Sequence, residues 1–118
     1  MNTSVGACHC RMCRKWSGGP LMAIDCGTEV IFEGEDNIAT FSSSEWAERG
    51  FCKLCGSSLF YRLKQNRQYF MIAGSFDDDT TFVFDHQVFI DHKPAFYCFA
   101  NETQDMTEAE VFAKFGDA

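Results

Sequence analysis

Three thiols in the run Cys8-His9-Cys10-Arg11-Met12-Cys13 constrain this chain more than any other feature. The Cys-x-Cys-x-x-Cys gaps are short enough for a tight turn to aim all three sulfurs at one soft cation, and zinc is the ion such thiolates hold. A structural zinc takes four protein ligands, whereas three protein ligands plus water or substrate is the pattern of a catalytic ion. The run supplies three and leaves the fourth place open. A second pair, in Cys52-Lys53-Leu54-Cys55-Gly56-Ser57, has the form of a zinc knuckle, where glycine lets the backbone turn under a metal with positive φ.

Those clusters decide how the composition is read. Of seven cysteines, an odd number, five lie in spacings too close for an ordinary disulfide ladder, which favours metal binding in a reducing compartment. Cys26 and Cys98 stand alone and read as buried apolar residues. With 118 residues, 46 % of them hydrophobic, residues 1–118 make one domain able to build a core without disulfides. Polar residues follow Met1 and no apolar run reaches signal or membrane length, so the expectation is a cytoplasmic protein without a membrane partner. A formal net charge of -7 argues against a nucleic-acid partner bound through phosphate contacts. The basic residues gather at Arg11, Arg14 and Lys15, and again at Arg62, Lys64 and Arg67, where a solvated strand end and turn explain them.

A turn signal recurs about every ten residues, with β-branched and aromatic residues between, which predicts a mostly antiparallel β domain. Expected strands are Leu21 to Ile24, Ile38 to Phe41, Ser58 to Lys64, Tyr69 to Ala73, Phe82 to Phe84 and Gln87 to Ile90, while Leu21 to Ile24 with Val30 to Phe32 reads as two strands or a strand and a bend. In Ser58 to Lys64, Leu59, Tyr61 and Leu63 alternate with Phe60, Arg62 and Lys64. Gln65-Asn66-Arg67 predicts a hairpin turn into Tyr69, and that pair of strands is expected at the sheet centre. Asp77 to Asp79 lack the spaced oxygens of a calcium loop and read as a solvated turn. His86 and His92 are read as surface or hydrogen-bonded residues rather than ligands, and the aromatic segment Lys93 to Phe99 as core or interface. Thr107 with Glu110 forms a capping box for a C-terminal helix, with Met106 and Val111 as a hydrophobic staple. Val111, Phe112 and Phe115 would face inward and Gly116 would end the helix.

The two motifs in order, Cys8 to Gly18 and Arg49-Gly50-Phe51-Cys52-Lys53-Leu54-Cys55-Gly56-Ser57-Ser58-Leu59, closely resemble the family of glutathione-dependent formaldehyde-activating enzymes, which also contains centromere protein V-like domains. The resemblance runs from Gly6 to Phe96. It implies an Mss4-like, zinc-containing β-sheet domain and a carbon-sulfur lyase activity joining glutathione to formaldehyde. It further implies that Cys8, Cys10 and Cys13 hold a catalytic zinc. Cys52 and Cys55 match a structural zinc that the family completes with a Cys-x-Cys on an N-terminal strand. That strand has no counterpart in this sequence, so the expectation is either a late start or a shortened member.

Three thiolates on a divalent zinc leave a net charge near -1, which Arg11, Arg14 and Lys15 are placed to offset while attracting the carboxylates of a glutathione-like thiol. His9 lies inside the motif, although no residue reads as a strong general base. Against the enzyme stand a non-catalytic zinc module, including a one-zinc form in which Cys52 or Cys55 fills the fourth place, and a thiol redox sensor. The surplus of 13 phenylalanines points to a homodimer interface.

Overall fold

The structure is a computed structural model that describes residues 1–115. Eight strands and two helices follow the chain: β1 (Ser4–Cys8), α1 (Arg11–Ser17), β2 (Leu21–Gly27), β3 (Ile38–Ser42), β4 (Ala47–Cys52), β5 (Ser58–Leu63), β6 (Tyr69–Ile72), β7 (Val83–Val88), β8 (Gln104–Met106) and α2 (Glu108–Phe115). The protein is mostly β, as its turn rhythm predicts. All strands join one sheet in the order β3-β4-β5-β6-β2-β1-β7-β8. Neighbours are antiparallel except β1 with β7 and β7 with β8, which run parallel. Among the described residues no helix is long and apolar enough to cross a membrane.

The hairpin of β5 and β6 forms where Gln65 to Arg67 predict it. Arg67 takes φ 60°, its amide donates to the Leu63 carbonyl at 3.0 Å, and the Gln68 amide donates to Asn66 Oδ1 at 3.0 Å. β6 lies at the middle of the sheet, but its other neighbour there is β2. The alternation of β5 divides its rings as expected. Phe60, 2 % exposed, packs with Phe32 and Tyr69 on one face, while Tyr61 meets Phe70 and Arg49.

Of the two readings left open for Leu21 to Phe32, two strands or a strand and a bend, the second holds: Val30 to Phe32 is not a strand. Glycines of positive φ bracket the segment, Gly27 at 72° and Gly34 at 73°, and both edges of β2 are already taken by β1 and β6. The segment arches over the sheet, leaving Ile31 93 % exposed and laying Phe32 on Phe60 and Tyr69 at 5.4 and 5.7 Å between ring centroids. The two short strands expected around Asp85 and His86 are one, β7, because parallel pairing with β1 runs through both. Strands β1, β4 and β8 were not expected from the sequence.

The capping box of α2 is present. The Glu110 backbone N–H donates to Thr107 Oγ1 at 3.2 Å, and the Thr107 amide donates to Glu110 Oε1 at 2.9 Å. Phe112 turns inward onto Phe89, at 5.9 Å. The expectations for the Phe115 side chain and for Gly116 lie outside the described residues. Cys98 is exposed and Cys26 half-buried, contrary to the reading of both as buried. Around Cys98 the chain alternates: Tyr97 and Phe99 turn towards His9, so Cys98 between them faces out.

Candidate metal centre

Cys8 closes β1, Cys10 is the N-cap of α1, and Cys13 sits in the first turn of that helix. The tight turn expected here is therefore a strand end running into a helix start. Cys10 has extended backbone, φ -63° and ψ 154°, and its sulfur accepts the Cys13 amide at 3.3 Å, which places Cys10 and Cys13 on one side of the helix start. Gly18, with φ 80°, ends the helix and donates to the Arg14 carbonyl at 2.8 Å.

The three sulfurs lie within 4.8 Å of one another. Thiolates at about 2.3 Å from a tetrahedral zinc stand roughly 3.8 Å apart, so the cluster has the dimensions and the donor chemistry of a zinc site. The thiols contest the same protons. Hydrogen bonds from the Cys13 and Cys8 side chains hold the Cys10 thiol far below the ordinary thiol range, and the same contact with Cys10 pushes Cys8 and Cys13 up, with burial adding to both. A bound cation would favour the thiolate form that metal ligation requires of all three.

Arg49, on β4, faces this cluster, and no local sequence signal marks it for that place. It is 2 % exposed, its Nη2 donates to Cys13 Sγ at 3.5 Å, and its guanidinium lies 5.0 Å from the Tyr61 ring centroid and 6.0 Å from that of Trp16. Arg11 and Lys15, expected to offset the thiolate charge, are exposed, while Arg14 donates from Nε to the His9 carbonyl at 2.9 Å. Burial pushes the Tyr61 phenol up to about 12, so that hydroxyl keeps its proton at neutral pH.

His9 is fully buried, and both ring nitrogens are engaged away from the sulfurs. Gln87 Nε2 donates to Thr103 Oγ1 at 2.8 Å, which leaves Gln87 Oε1 to accept from His9 Nε2–H at 2.7 Å. His9 Nδ1 then accepts the Tyr97 hydroxyl at 2.8 Å. Burial lowers the His9 pKa and keeps the imidazole neutral. It anchors the Cys-x-Cys turn to β7 and to the aromatic segment, and has no free nitrogen for acid–base work.

Cys52 and Cys55 form the expected knuckle between β4 and β5. Gly56 takes φ 80° and donates to the Cys52 carbonyl at 2.7 Å, and Cys55 Sγ lies 3.2 Å from Ser57 Oγ. Among the described residues this pair joins no group of three metal-ligating side chains, and neither sulfur belongs to the first cluster. His86 pairs with Asp85 at 2.6 Å and His92 with Glu108 at 3.4 Å, both near the surface. Asp78 caps its own turn through Thr80.

Trp16, which faces Arg49, also lines an open groove of about 690 Å³ with Leu21, Met22, Leu59, Ile72 and several serines. Among the described residues no charged side chain lines it.

Comparison with known proteins agrees with the cysteine pattern. An uncharacterized lyase of Schizosaccharomyces pombe is 39 % identical over 108 residues, covering 91 % of this chain and 79 % of the yeast protein. The sequence profile described as glutathione-dependent formaldehyde-activating enzyme matches residues 1–92, which hold both cysteine motifs and Arg49. On these grounds the chain belongs to the glutathione-dependent formaldehyde-activating enzyme family.

Proposed function

We propose that the protein is a zinc-dependent carbon-sulfur lyase that handles the adduct of a thiol with a small aldehyde, glutathione and formaldehyde being the pair to test first. The observation that carries this reading is the convergence of Cys8, Cys10 and Cys13, a set of three protein ligands joined by no fourth among the described residues. Family membership and the lyase-named yeast relative support the reaction class.

The metal, when bound, supplies Lewis acidity that favours the thiolate form of a thiol at neutral pH. The chain's own residues do the rest. Cys8, Cys10 and Cys13 would hold the ion at the end of β1, and the His9 network keeps that turn in place. Trp16 and the neighbouring apolar residues offer the groove to a small neutral carbonyl compound. In the synthetic direction sulfur attacks the carbonyl carbon, a carbon-sulfur bond forms, the carbonyl pair moves to oxygen, and the thiol's proton ends on that oxygen; cleavage reverses each step. Among the described residues no group near the cluster is an evident base, so the proton passes through solvent in this scheme. The reading belongs to a reducing compartment such as the cytoplasm, where thiol ligands and thiol substrates both persist.

The test joins elemental analysis to turnover. Protein purified without chelator is expected to carry zinc, Cys10→Ser to lose the zinc of this cluster, and the wild type to speed formation of the hydroxymethyl thioether followed by NMR with ¹³C-formaldehyde. Zinc bound in the wild type without any acceleration, by glutathione or by a neutral thiol such as 2-mercaptoethanol, would favour the non-catalytic zinc module.

A further inference from the structure

We infer that Arg49 is the positioning residue of the metal centre, supplying from β4 the positive charge that offsets three thiolates and holding Cys13 through an N–H to sulfur contact. The inference rests on the reading of the cluster as a metal site. Three thiolates and one divalent ion sum to a charge of about -1, and one guanidinium brings the buried assembly to neutrality.

The surroundings of Arg49 call for such a partner. A guanidinium 2 % exposed has lost its water, and no carboxylate among the described residues forms an ion pair with it. Its polar contact is the Cys13 sulfur at 3.5 Å, with the Tyr61 and Trp16 rings on its flanks. Its Nη1 is a buried nitrogen with no hydrogen-bond partner. Ring contacts alone do not explain a fully desolvated cation, whereas an anionic sulfur cluster does. The backbone places the side chain with little freedom, since Arg49 pairs across strands with Phe41 on one side and Tyr61 on the other. Groups that orient metal ligands from behind change metal affinity about 10- to 100-fold when removed.

The experiment titrates cobalt(II) into the wild type, Arg49→Gln and Arg49→Lys, each first shown to be folded by circular dichroism. It reads the sulfur-to-cobalt absorption and the affinity against a competing chelator. Arg49→Gln removes the charge and is expected to bind cobalt about 10- to 100-fold more weakly. Arg49→Lys keeps the charge and is expected to recover most of the affinity, with a shifted absorption band because the planar donor fork is gone. A folded Arg49→Gln that binds as tightly as the wild type would overturn the role of Arg49 and leave the metal centre standing. A wild type that takes up no cobalt would overturn the metal centre itself and this role with it. Should Arg49→Gln fail to fold, Arg49→Lys decides alone, and a band identical to that of the wild type would refute the contact with Cys13.

Discussion

Two glycines show how single atoms shape this sheet. A Cβ on Gly50 would lie 2.2 Å from the Phe60 ring, and one on Gly6 would lie 2.1 Å from His86 Nε2. The two are cross-strand partners of those rings, Gly50 with Phe60 and Gly6 with His86, so in each pair an aromatic side chain lies over bare backbone. The consequences differ because the rings differ in freedom. Phe60 is locked among Phe32, Tyr69 and the backbone, whereas the His86 side chain is 42 % exposed and has room to swing out. Gly50→Ala is therefore expected to cost about 1–3 kcal/mol, as overpacking does, and Gly6→Ala clearly less, both read from urea unfolding. Phe60→Leu combined with Gly50→Ala should recover part of the loss, since neighbours in contact do not add. His9 and Arg49 mark what is hardest to read at this scale. Each is a polar residue buried by partners distant in sequence, and nothing local announces it.

Among elements, α2 is the one whose local signals sufficed. Its capping box satisfies amides that would otherwise be orphaned, and Thr107→Ala is expected to remove about 1 kcal/mol of local stability, seen as faster amide exchange over Glu108 to Val111. The β5–β6 hairpin, β2 and β3 were likewise legible, because apolar runs are bounded there by turn residues. β4 was hidden for a physical reason. Its most buried positions are Ala47, Arg49 and Gly50, so hydropathy shows no alternation even though the strand lies second from one edge of the sheet. β1 is short and rich in small residues, and its parallel pairing with β7 joins segments some 80 residues apart, which no local pattern encodes. Val30 to Phe32 was open between strand and bend because it has strand-forming residues, and β2 before it has both edges already paired.

Across the whole molecule the cysteine cluster ties distant parts together. Cys8 comes from β1, Cys10 and Cys13 from α1, and Arg49 from β4, on the other side of β5, β6 and β2 in the sheet. An ion bound only by the folded chain stabilises it by mass action, about 4 kcal/mol at a thousandfold excess over its dissociation constant. Chelation should therefore lower the melting temperature measured by differential scanning fluorimetry. Cys8→Ser should lower it without further response to chelator if this cluster is the dominant site, while Cys52→Ser should leave the cobalt spectrum of the cluster unchanged. Every phenylalanine with a described side chain makes at least one ring contact within the fold, among them the exposed Phe41 on Trp16 and Phe96 on Tyr97. By itself the sequence determined the β class, the C-terminal helix, the knuckle and the trio of cysteines able to share an ion, because each depends on spacing along a few residues. Tertiary structure alone decided that Cys52 and Cys55 stand apart from that trio, that His9 is turned to Gln87 and Tyr97, and that Arg49 is the cation beside Cys13. Those facts depend on which strands lie next to one another, and strand order is set by burial and pairing over the whole chain rather than by any one stretch of it.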